Sequence, residues 1–148
     1  MYFKEPQLTD IREVWEEIRG PINSILSEIP FCKVIPEDIY SECVNKRAEL
    51  YVSSRGFMVL AIDTEFFSKT RSLLIWIAYV HEPGKHNWQK HVEWVNRIAK
   101  EAGCEYIKAQ SVVPELEQYA VANGWKVTER IYMKAVSYTH LTLPTKQD

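Results

Sequence analysis

The order of helical and strand-like segments in this 148-residue chain predicts an α+β fold (α/β three-layer). Its mixed sheet would open with a β-meander and continue as a β-α-β-α-β run. Three observations carry this. Leu73–Val80 is a near-continuous apolar run, the mark of a strand buried on both faces. After a loop with one glycine, Trp88, Val92, Val95, Ile98, Ala99 and Ala102 follow a helical period, and Gly103 stands where such a helix stops. Ahead of both, two short strand-like segments flank Arg55-Gly56, a turn signal.

The elements follow in order. Asp10 can cap a helix with Ile11, Val14, Trp15 and Ile18 on one face. Gly20-Pro21 interrupts it, and Pro21 begins a second helix with Ile22, Ile25, Leu26 and Ile29 as its stripe, ended by Pro30. Pro36 opens a third, from Glu37 to near Asn45. Strands are predicted over 49–53, 57–62 and 73–80, with a polar connection over 63–72 in which Phe66 and Phe67 pack at the base. Asn87 caps the long helix; 105–111 is a strand; Pro114 starts a helix that Gly124 ends; 126–134 is the last strand.

Composition narrows the function classes. At 46% hydrophobic and 26% charged residues, the chain reads as a single domain over 1–135. A net charge of −2 supplies no basic field, so neither nucleic acid nor membrane is expected as a partner. Cys32, Cys43 and Cys104 form no CxxC pair and are expected as free thiols in a reducing cytoplasm. Met1–Pro6 lacks an apolar signal core, and no run reaches the ~20 apolar residues of a membrane span. No metal is expected: His81, His86 and His91 recur every five residues, which does not place them on one helix face. The terminal run Val136–Thr145 resembles a translated sequencing adapter, so 136–148 is expected to be a non-native tail without a functional role.

The segment order over about Glu5 to Lys134, and above all Leu73–Val113 and Glu115–Trp125, resembles the GNAT (N-acetyltransferase) fold. Met1–Glu5 would then be an abbreviated first strand. The resemblance implies that Gly84-Lys85-His86-Asn87-Trp88 overlies the loop that cradles the pyrophosphate of acetyl-CoA. That family uses glycines there so that backbone N–H groups approach the anion at a helix N-terminus. Gly84 and Lys85 fit; His86 and Trp88 stand where tiny residues are wanted. A second signature of the family is an aromatic, then a tyrosine that protonates the departing thiolate, then three residues and Gly-Phe. The equivalent run is Tyr119-Ala120-Val121-Ala122-Asn123-Gly124-Trp125, so Ala120 takes the acid position and Tyr119 the aromatic before it.

The catalytic candidates are therefore Tyr119 as a displaced acid, and His81 and Glu82, just past the apolar strand, as bases. Residues implied in cofactor binding are Gly84, Lys85, His86, Asn87 and Trp88. With the cradle and the acid both altered, the resemblance implies a non-catalytic GNAT-like protein with a binding or bacteriophage-accessory role, no cofactor, an unidentified protein partner, and a place in the host cytoplasm or virion. The runs Trp15–Ile22 and Ile35–Tyr40 resemble accessory proteins of tailed phages. The alternative is an acetyl-CoA-dependent N-acyltransferase with an atypical loop, acting on a small amine.

Overall fold

A computed structural model describes residues 4–81, 88–110 and 114–136. Contacts divide the chain into two units, Met1–Val112 and Val113–Asp148.

The first unit holds a five-stranded sheet in the order β1-β2-β3-β4-β5: β1 Gln7–Thr9, β2 Ala48–Ser53, β3 Gly56–Thr64, β4 Arg71–Val80 and β5 Tyr106–Ala109. The first four are antiparallel and β5 joins β4 in parallel, so the sheet is mixed. Helices α1 (Ile11–Ser27) and α2 (Pro36–Val44) cover one face, and α3 (Trp88–Glu101) covers the other. The strands' period of two sorts the side chains. Leu50, Phe57, Val59 and Ile77 meet Ile11, Ile18, Ile22, Leu26 and Ile39. Tyr51, Leu60 and Leu73 meet Trp94, Val95 and Ala99. Tyr51 and Trp94 pack edge to face with centroids 5.0 Å apart.

The predicted three-layer α+β architecture is present, with differences in its elements. The two helices expected to part at Gly20-Pro21 are one continuous helix, with Pro21 inside. Proline removes a single N–H from the ladder; Ile18, Ile22 and Leu26, all buried on one stripe, hold both halves against the sheet. Among the described residues the first strand is Gln7–Thr9, where Leu8 pairs with Tyr51; Lys4 and Glu5 are outside it, and Met1–Phe3 of the expected strand lie outside the described residues. The β2–β3 turn is Ser54-Arg55, and Gly56 already pairs with Ser53. Phe66 and Phe67 do not pack at the base of their connection; they are exposed.

The second unit contains α4 (Pro114–Ala122). The expected last strand at 126–134 forms no ladder among the described residues. Its alternation, Val127, Ile131 and Met133 against charged neighbours, is legible in sequence, but a strand exists only where another backbone takes up its N–H and C=O groups. Val127, Ile131, Tyr132 and Met133 are all exposed.

Both predicted glycine stops are present. Gly103 has φ of 74° and Gly124 of 92°. In each case the following residue donates six-to-one, Cys104 N–H to the Ala99 carbonyl at 2.9 Å and Trp125 N–H to that of Ala120 at 3.0 Å.

At the start of α1, the Asp10 carboxylate accepts from the Arg12 backbone N–H at 3.0 Å and from its guanidinium at 2.8 Å. The Arg12 side chain, then its N–H, hold the Asp10 pKa down at about 2. A depressed carboxyl pKa adds stability above the unfolded value near 3.8, and that stability is lost as pH falls toward 2. Glu37 beside Arg19, and Glu42 beside Arg47, are lowered in the same direction. We therefore expect the melting temperature to fall between pH 4 and pH 2, and Asp10→Asn, which keeps a cap but has no charge to lose, to fall less. Parallel melting curves across that window measure it; equal slopes for both proteins would refute the assignment to Asp10.

Candidate functional site

The central strand β4 does not keep one face throughout. Val59 pairs with Ile77 and the next residue, Leu60, with Ile75, so Trp76 is an extra residue, a β-bulge. Because strand side chains alternate, one added residue reverses the facing. Leu73 and Ile75 pack on the α3 side, whereas Ile77 and Tyr79 pack on the α1–α2 side. The sequence reads this stretch as buried on both faces; alternation feeds both cores, and the bulge exchanges which set of β4 residues faces which core.

The bulge coincides with a parting of strands. The parallel ladder of β4 with β5 runs from Ser72–Tyr106 to Ile75–Ala109 and stops there, while β4 continues to Val80. Among the described residues, Trp76–Val80 has no ladder partner on the β5 side. An unpaired strand edge is a row of N–H and C=O groups available to an extended ligand.

At the far end of β4, His81 donates its backbone N–H to the Arg55 carbonyl at 2.8 Å. Its exposed imidazole meets the Tyr79 ring edge-on at 5.4 Å, and Tyr79 in turn stacks on Phe57. Helix α3 then starts at Trp88 with no acidic residue in its first turn, which contains Lys90 and His91. An N-terminus without carboxylates favours an anion, since the unpaired N–H groups and the helix dipole present positive charge there. By contrast, α1 and α2 carry Glu13, Glu37 and Asp38 in theirs. On the α3 side of the sheet, a cavity of about 40 Å³ is bordered by Tyr51, Met58, Ala78, Val80 and His91. The Tyr51 hydroxyl donates to Glu49 at 2.8 Å, and burial, then this carboxylate, raise the phenol's pKa.

The predicted site residues divide. His81 is at the end of β4, as expected. Glu82, Gly84, Lys85, His86 and Asn87 lie outside the described residues, and Trp88 is described as the first residue of α3 without its side chain. Tyr119 is half-buried on α4 in the second unit, where its carbonyl accepts from the Asn123 amide at 2.8 Å. Among the described residues no three His, Cys, Asp or Glu side chains converge on a metal position, and no helix is long and apolar enough to cross a membrane. A gap between the strands at Leu73 and Glu105 is what the family resemblance implies for a cofactor binder; the feature not legible in the sequence is the Trp76 bulge beside it. An unbroken apolar run gives no sign of which residue is the extra one.

No protein-family model matches the chain, and no curated protein does. Solved structures do. It is similar to a probable acetyltransferase, with a TM-score of 0.65 at 14% identity, over 91% of this chain and 100% of that one. A ribosomal-protein-alanine N-acetyltransferase from Brucella melitensis gives 0.61 at 15% identity, over 91% and 100%. The aminoglycoside N-acetyltransferase AAC(6')-Iy in complex with CoA gives 0.60 at 12%, over 90% and 99%. Mixed sheet, helices on both faces and agreement across nearly the whole length lead to one conclusion: this chain has the GNAT acetyltransferase fold.

Proposed function

We propose that the protein binds acetyl-CoA along the free edge of β4 and transfers its acyl group to an amine. The observation that carries this reading is the parting of β4 from β5 at the Trp76 bulge. The peptide groups of Trp76–Val80, without a ladder partner on that side among the described residues, suit the extended, amide-containing arm of coenzyme A, and the acid-free N-terminus of α3 suits its pyrophosphate. When bound, the cofactor supplies a thioester-activated acyl group. The chain's own residues bind and orient it and move protons. His81, and Glu82 beside it in sequence, are the candidates to take a proton from the incoming amine. Tyr119, on α4 of the second unit, keeps only the candidacy as proton donor that the family resemblance implies. Gly84, Lys85, His86 and Asn87 would complete the cradle ahead of α3.

A second reading rests on α4. Successive helical residues point about 100° apart, so Tyr119 does not project in the direction of Ala120, which resembles the family's acid position. On that reading the protein binds without transfer, in an accessory role with a protein partner such as a phage particle would offer.

One experiment separates them: melting curves with acetyl-CoA up to millimolar concentrations, followed by assay of free thiol released in the presence of simple amines. The proposal expects a melting temperature that climbs with ligand, since binding at 100-fold over Kd adds about 2.7 kcal/mol, and thiol release above the uncatalysed rate. Stabilisation without release overturns acyl transfer but not the cofactor site, and it also counts against the second reading, which takes no cofactor. No shift at millimolar ligand overturns the cofactor site.

A further inference from the structure

Phe66 and Phe67 sit at the tip of the β3–β4 hairpin, 73% and 86% exposed. The loop that presents them is internally tied. Glu65 Oε1 accepts from the backbone N–H of Phe67 at 2.9 Å and of Ser68 at 2.7 Å. The Ser68 and Thr70 hydroxyls are 2.8 Å apart. Glu65 N–H donates to the Thr70 carbonyl and Lys69 N–H to that of Glu65, both at 2.9 Å. Lys69 adopts a left-handed φ of 63°, a strained conformation for a side-chain-bearing residue. These bonds hold the two rings edge to face at 5.0 Å, with the Lys69 ammonium 4.8 Å above Phe66. The apolar pair is thus held in the solvent in a set geometry, outside both cores.

The size of the patch decides what covers it. Two aromatic rings contribute on the order of 150–250 Å² each, well short of the ~800 Å² per partner that a stable protein interface needs. Pairing with a second copy would also bring two Lys69 ammonium groups together. A protruding tip with rings at the apex and a lysine beside them matches instead the requirements of the bilayer interface. There aromatic rings enter among headgroups and acyl chains while an ammonium stays at the polar level. We propose that the Phe66-Phe67 tip is a weak, reversible contact with a lipid surface. The expectation of no membrane partner came from net charge; this contact is apolar and needs no basic field. It also leaves the proposed cofactor edge accessible, because the tip joins the start of β4 and the free edge is at its other end.

The test is co-sedimentation of the full chain with large unilamellar vesicles of phosphatidylcholine alone, and of phosphatidylcholine with phosphatidylserine. The double variant Phe66→Ser/Phe67→Ser runs in parallel, with melting temperature and light scattering measured on both proteins. The expected result is a bound fraction similar for the two vesicle types and at least about fivefold lower in the variant, with unchanged melting temperature, as for exposed side chains. No sedimentation above the vesicle-free control overturns the proposal, as does equal binding by the variant. Binding confined to anionic vesicles and abolished by salt overturns it in favour of charge. A wild-type dimer that the variant converts to monomer overturns it in favour of a contact between copies.

Discussion

Gly56→Ala is expected to destabilise the first unit severely. A β-carbon at Gly56 would stand 1.9 Å from the Tyr79 carbonyl oxygen, 2.9 Å from its carbon and 3.0 Å from the Val80 Cα. All three are backbone atoms of β4, the neighbour across the Gly56–Val80 pair. A flexible side chain could rotate away; a paired backbone must move. Overpacking costs about 1–3 kcal/mol where side chains can adjust, and a backbone clash belongs at or above the top of that range, about 10 °C in melting temperature for a chain of this size. The displaced residues, Tyr79 and Val80, end the free edge proposed to receive acetyl-CoA, so remaining folded protein should also respond less to the ligand. Thermal denaturation with and without acetyl-CoA measures both effects. A Gly56→Ala protein that melts like the parent would mean β4 yields without cost and would remove this account of the pairing.

Ile22→Ala should cost a comparable amount by the opposite defect, a void. Ile22 is fully buried and belongs to the cluster that joins α1 to Leu50, Val59 and Ile77. Removing three carbons from such a site costs about 2–5 kcal/mol, depending on how far the surroundings collapse. Little collapse is available here, because Ile18 and Leu26, one turn to either side on the same stripe, are themselves buried, and Ile39 of the same cluster is held on α2. The position also tests why α1 remains one helix. Pro21 removes a backbone bond immediately before Ile22, and the buried stripe Ile18, Ile22, Leu26 holds the two halves together. Urea denaturation should show a lower midpoint, and far-ultraviolet dichroism should show more helix lost before the main transition than in the parent. An Ile22→Ala protein within about 1 kcal/mol of the parent would show that the stripe is not what carries the helix past Pro21.

These two positions show how unevenly the molecule can be read from its residues. Gly103 and Gly124 were legible as helix stops because the requirement, a left-handed φ after the last turn, is local and glycine meets it. Asp10 was legible as a cap for the same reason. The strands β2, β3 and β4 were legible from β-branched and aromatic runs between turn signals. Gly20-Pro21 misled because local chemistry there favours a break, while the decisive contribution comes from Leu50, Val59 and Ile77, far along the chain. The run 126–134 misled in the reverse sense: its alternation is right for a strand, and the described residues supply no partner backbone. Phe66 and Phe67 were expected to be covered because aromatic residues usually are.

The candidate site divides along the same line. His81 followed from chain order, since any residue after an apolar strand stands at its end. The gap beside β5 followed only as what the resemblance implies for a cofactor binder, and the Trp76 bulge did not follow at all, because a bulge is a relation between two strands and Trp76 alone carries no sign of it.

By itself, then, the sequence determined strands β2, β3 and β4 and the helix and strand that follow them, the Asp10 cap, the stops at Gly103 and Gly124, and the resemblance to the GNAT fold, since each depends on propensity, periodicity or a single residue's backbone freedom. Only the tertiary structure decided that α1 runs unbroken, that β4 changes faces at Trp76, and that its ladder with β5 ends at Ile75–Ala109. Those outcomes are set by which buried surfaces and which hydrogen-bond partners meet across long separations in the chain, and no local pattern encodes that meeting.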